Sequence, residues 1–327
     1  MNVLVLGGTQ FIGRAIVQEL LNRKHSVTIF HRGKTGADLF PECDHILGDR
    51  NTDLALCDTR VWDSIVDVSC YTPDQARSAA KLKTKHFTFI STISVYDLES
   101  AEVPLTEKTK ISEGQEGTEV TGESYGPMKV RCEEILAEAF PDRCGIVRPG
   151  IVFGPHDHTG RFPYWISRLD QFDEVLIPEV LNQPLQWVNV FDLAEFTVKV
   201  AEDRLSGIWN AIRPGISLGA MFDEIRQQVG RKHELLLASM PELIEHEVKP
   251  WADLPLIFPD DKRHSIFKFD PKHAERAGLQ HRSVSKTVQA TLDWCRTEEF
   301  AANFKGGMSR EKEVEVMRKL KSKAQTS

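Results

Sequence analysis

The beginning of the chain places an apolar strand, a glycine turn and an amphipathic helix in immediate succession. Residues 2–6 form a short, mainly apolar run that ends at Gly7-Gly8, and from Phe11 the apolar residues recur at helical spacing. A β-branched stretch at residues 27–30 follows the helix, close enough for a right-handed crossover that lays it parallel to the first strand. The chain therefore begins with a βαβ unit, the building block of folds with a parallel sheet.

The same alternation of short apolar strands and helices continues through the first half of the chain. Further buried strands are predicted at residues 45–47, 65–69, 87–91 and 145–147, and helices at residues 74–82 and 128–140. Strands and helices alternate in this way when helices cover both faces of one parallel sheet. We therefore predict an α/β fold with a doubly wound parallel sheet of the Rossmann type.

The glycine turn, residues 7–13, lies where the first strand ends and the first helix begins. At such a position backbone N–H groups and the positive helix end can bind the pyrophosphate of a dinucleotide. The predicted cofactor-binding residues of the turn are Gly7, Gly8, Thr9, Gln10, Phe11, Ile12 and Gly13. The usual spacing has glycine at position 10, so the Gln10 side chain must point away from a cofactor. A tight turn without a ligand is the alternative.

Basic residues follow the second strand, where an acidic residue normally binds the ribose hydroxyls of NAD. The chain has His31-Arg32-Gly33-Lys34 here, and a guanidinium at Arg32 suits the 2′-phosphate of NADP. Solvated loop charges are the alternative. Asp49, after the third strand, is predicted to bind the adenine or its ribose, and a solvent-facing loop carboxylate is the alternative. Ser69 is also a predicted cofactor ligand. The predicted cofactor is NAD(P), with NADP favoured.

Tyr125 and Lys129 form the one Tyr-x-x-x-Lys pattern in the chain. On a helix they share a face, so the Lys129 ammonium can lower the pKa of the Tyr125 phenol toward a value useful for proton transfer. Tyr125 is therefore a candidate general acid and base. Thr92 and Ser94 follow a strand at the sheet edge where open α/β folds bind ligands. Their hydroxyls could orient a substrate oxygen or simply cap a turn.

Five segments occur in a characteristic order: the glycine turn, residues 89–96, residues 125–129, residues 148–155 and residues 190–194. Together they resemble the extended short-chain dehydrogenases/reductases of the nucleotide-sugar epimerase/dehydratase type, over roughly residues 1–300. The Gly-Gly-x-x-x-x-Gly spacing resembles an atypical subgroup that includes bacterial epimerases or reductases and chloroplast stem-loop RNA-binding proteins. The resemblance implies Thr92 as a ligand of the reacting oxygen, Tyr125 as acid and base, Lys129 as its activator and nicotinamide-ribose ligand, and Pro149 beside the nicotinamide.

The resemblance implies an NAD(P)-dependent oxidoreductase or epimerase that acts on a nucleotide sugar or a related hydroxyl or carbonyl compound. Dehydratases of the superfamily carry an acid pair after the hydroxyl residue, and this chain has Ile93 and Ser94 there. We therefore predict hydride transfer without 4,6-dehydration, although Glu123 could supply an acid. No asparagine lies between Asp74 and Phe87 to act as a fourth catalytic residue. A non-catalytic nucleotide- or RNA-binding protein on the same fold is the alternative.

The regular alternation is lost after Pro155, where residues rich in glycine, proline and aromatic side chains begin. Strands at residues 186–190 and 208–211 are expected to return to the first sheet. We assign residues 1–155 and 187–212 to an NAD(P)-binding Rossmann domain, 156–186 and 213–300 to a smaller, interleaved substrate-binding region, and 301–327 to a helical tail. Arg161 and Arg168 could hold a nucleotide diphosphate or be charges beside an aromatic cluster. Residues 262–264 could form an active-site loop or plain surface.

The net charge is −7 at pH 7, which disfavours a broad nucleic-acid-binding surface and favours a small-molecule substrate. The six cysteines are scattered and His156-Asp157-His158 lacks further ligands, so we predict reduced thiols and no metal site. The sequence contains neither a signal peptide nor a membrane-spanning stretch, which indicates a cytoplasmic protein without a membrane partner. The chain could act as a homodimer.

Overall fold

The computed structural model describes residues 1–98, 101–259, 264, 266–304 and 306–326. The chain forms two units, each assembled from separate segments. The first unit comprises Met1–Ile151, Trp187–Pro214 and Phe269–His281, and the second comprises Val152–Gln186, Gly215–Lys268 and Arg282–Ser327. The sequence-based division differs mainly in two segments, since it placed residues 269–281 in the substrate region and separated the last residues as a tail.

Strands and helices alternate along the described part of the chain. The strands are β1 (Asn2–Leu6), β2 (Ser26–His31), β3 (Asp44–Leu47), β4 (Ser64–Asp67), β5 (Phe87–Ile90), β6 (Cys144–Pro149), β7 (Ile151–Phe153), β8 (Glu174–Pro178), β9 (Pro184–Leu185), β10 (Trp187–Asn189), β11 (Gly207–Ala211), β12 (Ile216–Ser217) and β13 (Glu234–Ala238). The helices are α1 (Phe11–Asn22), α2 (Pro73–Ala79), α3 (Tyr125–Ala139), α4 (Arg161–Gln171), α5 (Val190–Glu202), α6 (Leu218–Val229), α7 (Met240–Glu245), α8 (Lys272–Arg276), α9 (Val284–Cys295), α10 (Glu298–Asn303) and α11 (Arg310–Thr326).

The first unit is built on a seven-stranded sheet with the order β11-β6-β5-β4-β1-β2-β3. Each strand runs parallel to its neighbours. The chain moves outward from β1 through β2 to β3 and then returns to β4 on the other side of β1. This reversal beside β1 confirms the predicted doubly wound fold, and ligands of such sheets bind at the carboxyl ends of the strands next to it.

Helices pack on both faces of this sheet because successive strand residues point to opposite sides. Leu4 and Phe89 belong to a buried cluster that includes Leu136 of α3 and Ala76 of α2. On the opposite face of the sheet, α1 packs so closely against the end of β1 that a Cβ on Gly8 would lie 2.7 Å from a methyl group of Val17. All six cysteines are free and buried, and two of them lie on strands or α-helices of this unit, Cys132 on α3 and Cys144 on β6.

The expected return of residues 186–190 to the first sheet is wrong in part. Residues 208–211 do rejoin it, because β11 pairs with β6 in parallel. The strand β10, however, lies outside the seven-stranded sheet. It is short because α5 begins at Val190, one residue after the Asn189 side chain that caps the helix by accepting a hydrogen bond from the Phe191 N–H at 2.8 Å.

The second unit contains short sheets and a set of helices. The strands β8 and β13 pair in parallel, and β9 and β12 pair antiparallel. Its core contains aromatic side chains: the rings of Phe153 and Phe162 stack at 4.1 Å, and the buried Trp165 indole donates to the Pro255 carbonyl at 2.7 Å. Among the described residues, no helix combines the length and the apolar character that crossing a membrane requires.

Candidate active site and cofactor site

The glycine turn is shaped by positions that cannot carry a side chain. Gly7 has φ +92° and donates its N–H to the Phe30 carbonyl at 3.0 Å. A Cβ on Gly7 would lie 2.8 Å from the Cβ of Ser69, and a Cβ on Gly13 would lie 2.0 Å from the Gly7 carbonyl oxygen. Glycine at both positions therefore lets α1 begin directly against the end of β1.

Gln10 precedes α1 in an extended conformation and is exposed. Its side chain makes no capping hydrogen bond, and the first turn of α1 contains no acidic residue. A helix N-terminus attracts anions because its first N–H groups have no partner within the helix. The turn thus presents a surface that suits a pyrophosphate, with the glutamine side chain directed to solvent.

At the end of β2, the buried His31 contacts the half-buried His45 of β3, and exposed basic residues follow. His31 Nε2 lies 2.9 Å from His45 Nδ1, and His45 Nε2 lies 3.0 Å from the Phe40 carbonyl oxygen. Burial lowers the pKa of His31, and the neighbouring His45 lowers it further. Arg32 and Lys34 are exposed, so the accessible charge at the end of β2 is positive.

Asp49 lies in a turn after β3. Its carboxylate accepts hydrogen bonds from the Asn51 N–H at 2.9 Å and the Asn51 amide at 2.8 Å. The hydrogen bond from the Asn51 backbone, assisted by the charges of Arg32 and Lys34, lowers the pKa of Asp49. Asp49 is therefore an anionic acceptor within the electrostatic reach of the basic loop after β2.

Sequence analysis did not select Arg50, which is buried beside the glycine turn. Its guanidinium donates to both carboxylate oxygens of Asp67 and to Ser69 Oγ, each at 2.8 Å. Ser69 Oγ donates in turn to the Leu6 carbonyl at 3.1 Å, at the end of β1. Burial alone would lower the pKa of Arg50, but the charge and hydrogen bonds of Asp67 raise it above its usual value. This ion pair fixes Ser69 against the turn.

The helix α3 begins at Tyr125, and Lys129 follows one turn later. Lys129 is only 2% exposed, and its ammonium donates to the carbonyl oxygens of Cys70 and Ile90, at 2.8 Å each. The same Nζ atom lies 4.1 Å from the centre of the Phe89 ring. Backbone carbonyls at and after the ends of two adjacent strands thus fix the Lys129 charge, on the helix face that also carries the half-buried Tyr125.

Thr92 and Ser94 form a 3-10 turn that contacts the start of α3. Thr92 Oγ1 accepts a hydrogen bond from the Ser94 N–H at 3.1 Å, so its hydroxyl does cap a turn. A Cβ on Gly126 would lie 2.2 Å from the Ser94 carbonyl oxygen, and the glycine therefore permits close contact between the turn and α3. The fold brings Thr92, Ser94, Tyr125 and Lys129 together, and we call these four residues the tyrosine edge.

Tyr71 is a further residue of this region that sequence analysis missed. Its ring centre lies 6.4 Å from that of Tyr125, and the Lys129 ammonium lies 5.6 Å from the Tyr71 ring. The side chain is 45% exposed. No sequence motif indicates such a residue. Tyr71 follows β4 and is distant in the sequence from Tyr125, so the two rings come close only in the folded sheet.

Pro149 is the last residue of β6 and is buried. Its strand pairs with β5, so that Ile90 lies opposite Val147. Pro149 therefore lies at the carboxyl ends of the strands, as the tyrosine edge does, on the strand next to β5.

Two of the candidate substrate residues, Arg161 and Arg168, lie in the second unit, whereas Ser94 belongs to the tyrosine edge of the first. The Arg161 guanidinium stacks 5.1 Å from the Trp251 ring centre. Arg168 is buried and pairs with Glu313 at 3.4 Å while it also donates to the Met308 carbonyl. These contacts occupy the guanidinium of Arg168, so a substrate contact there would require their displacement. Of the predicted 262–264 loop, residues 262 and 263 lie outside the described residues.

His156, Asp157 and His158 do not come together as ligands. Asp157 is buried and accepts two hydrogen bonds from Thr159, while His156 lies 3.4 Å from Glu299. Within the described ranges, no group of three or more histidine, cysteine, aspartate or glutamate side chains could hold a metal ion.

The model of the NAD dependent epimerase/dehydratase family matches residues 3–74 and 70–211. The chain belongs to this family. The matched region of this chain contains both the glycine turn and the tyrosine edge. Membership of the epimerase/dehydratase family confirms the resemblance inferred from the sequence motifs. No curated protein matches the chain.

Solved structures have the same fold at low sequence identity. The UDP-glucuronic acid 4-epimerase of Bacillus cereus, in complex with NAD, has a TM-score of 0.68 at 17% identity, covering 92% of this chain and 100% of that one. The UDP-glucose 4-epimerase of Thermotoga maritima, with UDP-glucose, has a TM-score of 0.68 at 17% identity, covering 90% and 99%. The Bordetella bronchiseptica enzyme WbmH, in complex with NAD+, has a TM-score of 0.69 at 18% identity, covering 91% and 99%.

Proposed function

We propose that this member of the epimerase/dehydratase family is an NAD(P)-dependent epimerase or reductase in which Tyr125 is the general acid and base. The observation that carries the proposal is the tyrosine edge. The first turn of α3 presents Tyr125 where the helix contacts the turn after Thr92, four residues before a lysine whose ammonium is fixed by two backbone carbonyls. Oxidation of an alcohol releases a hydride from carbon and a proton from oxygen, and Tyr125 would accept that proton.

Lys129 and Thr92 would support this proton transfer in different ways. A positive charge one helical turn from a phenol favours the phenolate, so Lys129 would make Tyr125 a better base. Thr92 has a hydroxyl that can rotate from its contact with Ser94 to donate to a substrate oxygen. In the direction of reduction, the same Tyr125 would return the proton to the oxygen.

The chain's own residues fit a nicotinamide dinucleotide at the glycine turn. Side chains are excluded at Gly7 and Gly13, which leaves backbone N–H groups at the start of α1 for the pyrophosphate. Arg32 would bind the 2′-phosphate of NADP, Asp49 the adenosine, and Lys129 and Pro149 the nicotinamide end. A bound nicotinamide would supply the hydride acceptor or donor.

The proposed substrate class is a nucleotide sugar. Support comes from the family and from the solved relatives, two of which are UDP-sugar 4-epimerases. Arg161, whose guanidinium stacks on the Trp251 ring in the second unit, would bind the diphosphate. The positions after Thr92 are apolar Ile93 and the weakly acidic Ser94, so we propose hydride chemistry without loss of water.

A panel of nucleotide sugars tests this proposal directly. The protein would be incubated with each sugar and with NAD(H) or NADP(H), and the products followed by mass and by sugar composition. We expect an isomer of unchanged mass or a product that differs by two hydrogens. A product lighter by one water would contradict the reaction type. Normal turnover by the Tyr125→Phe variant would contradict the role of Tyr125.

A further inference from the structure

A buried ion pair lies behind the tyrosine edge and takes no direct part in the proposed chemistry. Arg148 Nε donates to Glu133 at 2.9 Å, and a second nitrogen of the same guanidinium donates to the other carboxylate oxygen. The third guanidinium nitrogen donates to the Tyr96 hydroxyl at 2.8 Å. Ser91 donates its hydroxyl to Glu133 as well. Arg148 and Glu133 are both buried, so this is a bidentate ion pair inside the first unit.

The partners of this pair come from the three segments that carry the proposed site. Ser91 immediately precedes Thr92, and Arg148 immediately precedes Pro149. Glu133 lies on α3 four residues beyond Lys129 and therefore on the same helix face. The pair thus connects the ends of β5 and β6 to the helix that presents Tyr125.

Stability alone is a poor reason for such a pair. Moving two charges out of water costs several kcal/mol each, and replacing a buried pair by apolar residues of similar volume is often neutral or stabilising. Burial alone would lower the pKa of Arg148, but the hydrogen bonds and charge of Glu133 outweigh it and raise the pKa above its usual value, so the guanidinium stays charged in the folded protein. The hydrogen bonds of the pair have fixed directions, and apolar packing provides no such directional constraint.

We propose that Glu133 and Arg148 are positioning residues, which hold α3 in register with β5 and β6 so that Tyr125 stays aligned with Thr92 and Lys129 with its two carbonyls. This inference rests on the proposed function of Tyr125. A shift of α3 by even 1 Å would lengthen the 2.8 Å bonds of Lys129 and move the phenol away from its hydroxyl neighbour.

The test uses the double variant Glu133→Leu/Arg148→Met, which removes one charge of each sign and so leaves the net charge unchanged. Ionisation of Tyr125 is followed by ultraviolet absorbance of phenolate during a pH titration, and the transition is assigned as the one that Tyr125→Phe removes. This measurement needs no substrate. We expect the double variant to fold and bind NADPH as the wild type does, but to ionise Tyr125 at least about one pH unit higher.

A matched control is Arg23→Met/Glu202→Gln, which removes an ion pair between α1 and α5 on the other face of the sheet. We expect the control to leave the Tyr125 transition unchanged. On any nucleotide sugar that the wild type converts, the Glu133→Leu/Arg148→Met variant should lose at least tenfold in kcat with less than about a threefold change in KM.

Different outcomes separate the two ideas. A wild type without a Tyr125 transition below the ordinary tyrosine range would overturn the proposed function and this inference with it. A normal wild type and a folded double variant with an unmoved transition would overturn the positioning role alone. If the double variant does not fold, Arg148→Lys replaces it, since lysine keeps the charge but loses the bidentate contact. An unmoved Tyr125 transition in Arg148→Lys would likewise overturn the positioning role.

Discussion

The glycine turn and the tyrosine edge lie at the same carboxyl edge of one sheet but are built in opposite ways. The turn is defined by absent side chains, since a Cβ on Gly13 would overlap the Gly7 carbonyl. The tyrosine edge is defined by side chains whose partners come from other strands, as when Lys129 donates to Cys70 and Ile90. The first arrangement is a local steric constraint, whereas the second depends on the assembled sheet.

This difference predicts two kinds of failure. One added methyl group in the glycine turn should strongly weaken cofactor binding, because backbone atoms cannot move apart without disrupting the start of α1. Loss of the Tyr125 hydroxyl at the tyrosine edge should impair proton transfer while the cofactor still binds.

Gly13→Ala should weaken NADPH binding by about 150-fold or more. The added Cβ would lie 2.0 Å from the Gly7 carbonyl oxygen, and overpacking of this kind costs roughly 3 kcal/mol. Fluorescence titration of NADPH measures the affinity. Gln10→Ala, in the same turn but exposed, is the control and should change the affinity by less than about threefold. Similar affinities for Gly13→Ala and Gln10→Ala would contradict the steric account.

Tyr125→Phe should lower turnover of a converted nucleotide sugar by at least about 100-fold, since only the transferable proton is removed. NADPH affinity should stay within about twofold of the wild type. Steady-state rates and the same fluorescence titration provide both numbers. Lys129→Ala should instead impair turnover and cofactor binding together. A Tyr125→Phe variant that loses the cofactor would show that the two regions are not separable.

Arg32→Ala should remove a preference for NADPH over NADH of about 2 kcal/mol, or roughly 30-fold, because a guanidinium contact to the 2′-phosphate is charge-assisted. NADH affinity should hardly change, and Lys34→Ala serves as a control for general loop charge. Competitive titration of both cofactors measures the preference. Equal wild-type affinities for NADH and NADPH would make the NADP assignment wrong.

Tyr71→Ala should have the smallest effect, about a threefold to fivefold loss of turnover. The Tyr71 ring lies 5.6 Å from the Lys129 ammonium, and cation–π contacts of partly exposed rings contribute about 0.5–1 kcal/mol. Tyr71→Phe keeps the ring and should turn over at nearly the wild-type rate. If Tyr71→Phe were as impaired as Tyr125→Phe, a second phenol would belong to the proton-transfer chemistry.

Much of the fold could be predicted because its signals are local. Each strand of the first βαβ unit is an apolar run of its own, and the observed bounds of β1 and β2 agree with the expected ones to within one residue. The strand at residues 186–190 shows the limit of this reasoning. Its apolar pattern indicated a strand correctly, but the pattern contains no information about which sheet it joins.

For the site, the sequence by itself determined the glycine turn and the spacing of Tyr125 and Lys129, because steric exclusion and the helical repeat act between residues close together in the chain. Only the tertiary structure decided that Lys129 is held by Cys70 and Ile90, and that Arg50 pairs with Asp67. The sequence likewise did not indicate that Arg148 pairs with Glu133, which is 15 residues away in the chain. An arginine in a sequence has the same charge whether it faces water or a carboxylate, and burial beside its partner is what makes it part of a site.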